Sequence, residues 1–196
     1  MANAKDNVRV PDRRVRKTKA QLRKCLAELL KTKKINEITV KELTDMSDLN
    51  RGTFYLHYRD VFDLLEQTET ELMDEFNAAL SKYEYDKIKS HPSLMLEEVF
   101  NLVKANKDII STLVGDNGDL NFISQLLEIV REKCLKNMIE TYRAKNSECF
   151  DVYFCFILSG SLGIVKYWLK NDCKESPSEL ALITEKIFKE GIHVLD

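Results

Sequence analysis

The stretch Asn50–Tyr58, "NRGTFYLHY", decides how the rest of the chain is read. It gathers two tyrosines, a phenylalanine, a histidine and an arginine, with a glycine near its start, in a region otherwise rich in charge. Asn50 is expected to cap a short helix here, with Leu49 before the cap and Phe54 at the fourth helical position forming a hydrophobic staple. At about 100° per residue, Phe54 and Tyr58 share one side and face neighbouring helices. Gly52 and Leu56 point the opposite way. Arg51 and Tyr55 flank that outward apex on one side, Thr53 and His57 on the other. A core role alone leaves the outward Leu56, Arg51 and Tyr55 unexplained.

Upstream, Leu22, Cys25, Leu26, Leu29 and Leu30 form one helical stripe within about 14–31, with Arg16, Lys17, Lys19, Arg23 and Lys24 mostly off it. Thr39 with Glu42 three residues later makes a capping box, so a short second helix starts there and ends near Ser47. Asp48 then occupies a turn conformation that tolerates positive φ. Asp60 caps a fourth helix, "VFDLLEQTETELMDEFNAALSKY". Three short helices joined by tight turns match a helix-turn-helix. The outward face suits a major groove. Gly52 permits close approach, Arg51 offers paired donors to guanine, and Thr53 reaches a base edge or a thymine methyl. Tyr55 and His57 donate to phosphates.

Charge agrees with that placement. Residues 1–59 hold 15 Lys+Arg against 7 Asp+Glu, whereas 60–196 hold 15 against 25, although the net charge is only -2. Such asymmetry points to a polyanion-binding end, with a solvated basic face as the alternative.

The run "ITVKELTDMSDLNRGTFYLHYRDVFDLLE", residues 38–66, resembles the DNA-binding domain of TetR/AcrR-family transcriptional regulators. "SGSLGIVKYWLKNDCKESPSELALITEKIF" is similar to the final two helices of one branch of that family. The resemblance implies a homodimer whose N-terminal domains bind a palindromic operator, and whose larger C-terminal domain binds an effector and dimerises through its last two helices. Arg51, Gly52, Thr53, Tyr55 and His57 match the family's DNA contacts. Tyr58 matches an aromatic that is usually core; it and Thr39 complete the DNA-binding candidates. Two departures stand out. Asp48 occupies a turn position often held by Gly, and Val61 replaces a phosphate-binding Lys, for which Arg59 is the nearby substitute.

Beyond His91-Pro92 the pattern stays helical over about 93–105, 107–114, 119–144, 148–171 and 177–195. Only 6 Gly and 3 Pro interrupt the 196 residues, and no segment alternates with period two. The expected fold is all-α, of about nine helices, with a helix-turn-helix domain over 1–59 and a helical effector-binding and dimerisation domain over 60–196. Helix 148–171 is apolar nearly all round, and Ser159, Gly160 and Gly163 let another helix approach. With the helix after it, a four-helix dimer interface through Gly160, Gly163, Ile164, Tyr167, Ile183 and Ile187 is expected, internal core being the alternative. Phe100, Val103, Phe122, Leu126, Phe154 and Leu158 are candidates to line a pocket for a small apolar effector of unknown identity. The same spacing equally describes plain core.

The longest uncharged run, Val152–Val165, has 14 residues, too short to span a bilayer. Five cysteines without a CxxC pair, and no apolar leader before them, suggest reduced thiols in the cytoplasm, mostly small core residues. GxSxG, HExxH and a glycine-rich phosphate loop are all missing, and the three histidines sit in dissimilar contexts, so neither catalysis nor a metal or other cofactor is expected. The expectation is a cytoplasmic, ligand-responsive repressor that binds double-stranded operator DNA. Its rivals are a partner-protein-dependent regulator of the same fold without an effector, and a sequence-tolerant DNA binder.

Overall fold

The structure, a computed structural model, describes residues 13–83, 91–115, 118–135 and 147–190. Among these it contains nine α-helices and no strand. They are α1 (Arg13–Leu30), α2 (Val40–Met46), α3 (Arg51–Tyr55), α4 (Val61–Leu80), α5 (Pro92–Ala105), α6 (Lys107–Val114), α7 (Leu120–Val130), α8 (Ser147–Lys170) and α9 (Pro177–Glu190). A 3-10 turn at Ile35–Glu37 precedes α2, and α7 runs on into a π-helical turn at Arg131–Leu135. The later part of the expected 119–144 helix lies outside the described residues, as do the ends of the chain. The chain divides into two compact units between Glu66 and Gln67, inside α4.

The first unit is built around one apolar cluster. Leu22, Cys25 and Leu26 of α1 meet Leu43 of α2, Phe54 of α3, Tyr58, and Val61 and Leu64 of α4, with Leu29, Leu30, Leu49 and Leu65 packed around them. The apolar stripe of α1 therefore faces inward, leaving most of its basic residues exposed and Lys19 and Arg23 half-buried at its edge. Val61 is buried. The position therefore adds to this core instead of presenting a side chain to phosphate. The start of α4 belongs to this unit for the same reason.

Local chemistry sets each short helix. The Thr39 hydroxyl accepts from the Glu42 N–H at 3.2 Å and the Glu42 carboxylate accepts from the Thr39 N–H at 3.0 Å, closing the capping box. After α2 the Leu49 N–H returns to the Thr44 carbonyl at 3.0 Å and Asp48 N–H to Asp45 at 3.4 Å. This is a Schellman closure with Asp48 at φ 50° in the position that favours glycine. Asn50 Oδ1 accepts from Thr53 N–H at 2.9 Å to start α3, and Asp60 Oδ1 from Asp63 N–H at 2.8 Å to start α4.

In the second unit α5 packs along α9, and the Ser93 N–H donates to Glu185 at 3.2 Å. Trp168 of α8 is fully buried, edge-on to Phe100 at 5.5 Å, with its indole N–H donating to the Glu175 carbonyl at 3.1 Å. The end of α8 repeats the closure of α2. Cys173 N–H returns to Trp168 at 2.9 Å and Asp172 N–H to Leu169 at 3.1 Å, with Asp172 at φ 55° and Cys173 at φ 52°. Lys107 pairs with Asp172 at 3.0 Å and anchors that turn. Cys25 and Cys173 are buried and desolvation pushes both thiols up, whereas Cys155 is exposed.

Candidate nucleic-acid interface

The helix-turn-helix positions α3 through its buried side. Phe54 is completely buried and lies 5.7 Å from the Tyr58 ring, while Tyr55 stands edge-on to Phe54 at 5.5 Å. Anchoring Phe54 this way orients every other α3 side chain. Arg51, Gly52, Tyr55 and Leu56 are exposed, Thr53 and His57 half-buried. The side chains expected to point away from the core do so, within one turn and a half of chain.

Tyr58 requires a correction. It is only 4% exposed, so its ring belongs to the core and leaves the DNA-facing set. Its face is used inside the unit, where Lys19 Nζ of α1 sits 5.5 Å from the ring centroid, a cation–π contact that ties α1 to the end of α3. The Gln21 amide makes a second tie, donating to the Ser47 carbonyl in the turn at 2.7 Å. Spacing along the chain signals neither contact, because each joins residues far apart in sequence.

Thr39 is exposed, but its hydroxyl also donates to the Glu42 carboxylate at 2.9 Å. Lys33 pairs with the same carboxylate. That hydrogen bond first, and those from Thr39 after it, hold Glu42 down to about 2. Thr39 therefore works here as the anchor of α2. Arg59 extends from the surface, its guanidinium 3.1 Å from Asp63 and its N–H donating to the same carboxylate at 2.8 Å. Gly52 has a local purpose as well. A Cβ there would meet Asn50 Oδ1 at 3.1 Å, so the missing side chain leaves room for the cap.

The candidates in the second unit separate into buried and exposed groups. Phe100, Val103 and Phe122 are buried, Leu126 is half-buried, and Leu158 packs against Leu80 and Met95. The Phe154 side chain lies outside the described residues. On α8 and α9, Tyr167 is 61% and Ile183 44% exposed, Gly163 is exposed, and Gly160, Ile164 and Ile187 are half-buried. A Cβ built on Gly160 or Gly163 meets nothing within 4 Å. No described helix is long and apolar enough to cross a membrane.

Comparison with known proteins agrees with this architecture. An uncharacterized HTH-type transcriptional regulator of Bacillus subtilis (strain 168), YxbF, is 22% identical over 183 residues. The match takes in 86% of this chain but 45% of that protein, so the chain spans less than half the length of the relative. The structure is similar to the transcriptional regulator FadR from Bacillus subtilis in complex with stearoyl-CoA, with a TM-score of 0.61 and 18% identity over 89% of this chain and 99% of that one. It is also similar to a TetR transcriptional regulator from Streptococcus agalactiae 2603V, with a TM-score of 0.59 and 22% identity over 90% and 96% of the two chains. At these identities the likeness is one of fold. A family model of the TetR type, described as "Transcriptional regulator C-terminal region", matches residues 90–190. That match covers just over half of the sequence, and the chain belongs to the TetR family of transcriptional regulators.

Proposed function

We propose that this transcriptional regulator is a homodimeric, ligand-responsive repressor that binds a palindromic operator through residues 1–59 and senses a small apolar effector through residues 60–196. The observation that carries this reading is the sidedness of α3. Phe54 and Tyr58 are buried, while Arg51, Tyr55 and Leu56 project from a unit whose flanking helix is basic. Arg51 pairs with a guanine edge, Thr53 touches a neighbouring base, Tyr55 and His57 hold phosphates, and Gly52 keeps the surface open. Thr39 acts by setting α2.

Dimerisation is supported by the exposed apolar residues of α8 and α9, including Tyr167, Leu182 and Ile183, and by the open space at Gly160 and Gly163. Two copies packed through these helices hold two recognition helices about 34–36 Å apart, one turn of DNA. The effector then favours a state with the wrong spacing. Moving the population from 1:99 to 99:1 takes about 5.5 kcal/mol of differential affinity. The likeness to FadR bound to stearoyl-CoA makes long-chain acyl thioesters the first effector class to try.

Sedimentation at micromolar concentration, followed by a thermal-shift panel of acyl-CoAs of graded chain length, tests the reading. A dimer whose melting point rises with one range of chain length supports it. A strict monomer overturns the spacing mechanism, and a dimer indifferent to every acyl-CoA excludes that effector class.

A further inference from the structure

We propose that Leu56 is a specificity residue that reads the 5-methyl group of a thymine in each half-site. Leu56 is 79% exposed, more than Met46, Tyr55 or Phe62, the other exposed large hydrophobics among the described residues of the first unit. A single exposed leucine is ordinary on a protein surface. Its position is what distinguishes this one. It lies at the C-terminal end of α3, one helical turn beyond Gly52 on the same outward face, with exposed Arg51 and Tyr55 beside it.

The chemistry of that position is restrictive. A leucine side chain has no donor or acceptor, so it gains nothing from phosphates or from the polar base edges. The thymine methyl is the one apolar group that the base edges present in the major groove. Gly52 lets that edge approach, because beyond its chain neighbours and its own helix backbone a Cβ built there would meet Asn50 Oδ1, at 3.1 Å on the cap side. Arg51, directed at a guanine, and Leu56, directed at a thymine, read different positions by different means. This assignment rests on α3 being the recognition helix.

The test uses the full chain and the operator recovered by selection from random DNA. Each thymine is replaced in turn by deoxyuridine, which removes only the methyl, and affinity is measured for the wild type and for Leu56→Ala. One position in each half-site should weaken the wild type by about fourfold, and by about fifteenfold when both half-sites are changed, the worth of one buried methyl or two. Leu56→Ala should bind the thymine operator that much more weakly and ignore the same replacement. If no thymine is sensitive in the wild type, or the sensitive one stays equally sensitive in Leu56→Ala, the assignment is wrong while the operator reading stands. Leu56 is 79% exposed and outside the core, so Leu56→Ala should melt with the wild type, and Thr53→Ser, which leaves Leu56 in place, should keep the sensitivity. A selection that returns no motif removes the recognition-helix reading itself, and this assignment with it.

Discussion

Replacing Gly52 with alanine sets two effects of similar size against each other. Gly52 lies inside α3, and alanine in place of glycine within a helix is worth about 0.5–1 kcal/mol. The new Cβ would stand 3.1 Å from Asn50 Oδ1, closer than ordinary contact, so the carboxamide must give by a few tenths of an ångström. That movement loosens the 2.9 Å bond from the Thr53 N–H, part of a cap worth about 1 kcal/mol. The two changes offset each other, and Gly52→Ala should alter stability by less than about 0.5 kcal/mol. In an Asn50→Ala background the cap is already gone, and the same substitution should stabilise by about 0.5–1 kcal/mol. Urea denaturation followed by circular dichroism, run on all four proteins of the cycle, measures the coupling. Equal stabilisation by Gly52→Ala in both backgrounds would refute the crowded cap. Operator binding supplies an independent reading. The added methyl on the outward face should weaken it about tenfold despite the unchanged stability.

Asp48→Gly should stabilise the first unit by about 1 kcal/mol, because the left-handed backbone at φ 50° costs a residue with a side chain but not glycine; thermal melts check it. Glu42 is held down to about 2, from an ordinary 4.5, chiefly by the Lys33 hydrogen bond. Its contribution is thus complete above about pH 4.5 and is lost as pH falls toward 2, so the stability difference between wild type and Glu42→Gln should fade across that window. Arg51→Ala should cost about 1–3 kcal/mol of operator affinity and relax one base position, whereas equal weakening on all sequences would reduce Arg51 to a phosphate contact. Tyr167→Glu combined with Ile183→Glu places charge on exposed apolar positions of α8 and α9. The product should fold, sediment as a monomer and lose binding to the palindrome; a dimer would move the interface elsewhere.

What could be read from the sequence was local. Thr39 with Glu42, Asn50 with Thr53, and Asp60 with Asp63 are caps whose partners lie three residues apart, and each stands where spacing places it. Asp48 takes its positive φ in the Schellman closure of α2, a conformation that aspartate tolerates. The outward side of α3 was legible because Phe54 must be buried, and one buried residue orients the whole helix. Contacts that depend on distant partners were not. Lys19 against Tyr58, Gln21 on Ser47 and the burial of Val61 arise from how segments distant in the chain pack together, which periodicity within one helix does not specify. The second closure, at Asp172 and Cys173, was also missed, although it repeats the Asp48 turn with an aspartate in the same place. Pocket residues were the least legible, since Phe100, Val103 and Phe122 satisfy a core and a cavity wall with the same apolar spacing.

The central claim, a dimer that reads sequence through α3, is tested most directly by selecting bound fragments from random DNA at about 150 mM salt, where non-specific binding is weak. The account predicts a palindromic motif whose half-sites lie one helical turn apart, centre to centre, with a guanine and a thymine among the fixed positions. Recovery of no motif, with binding that disappears as salt rises, would contradict it.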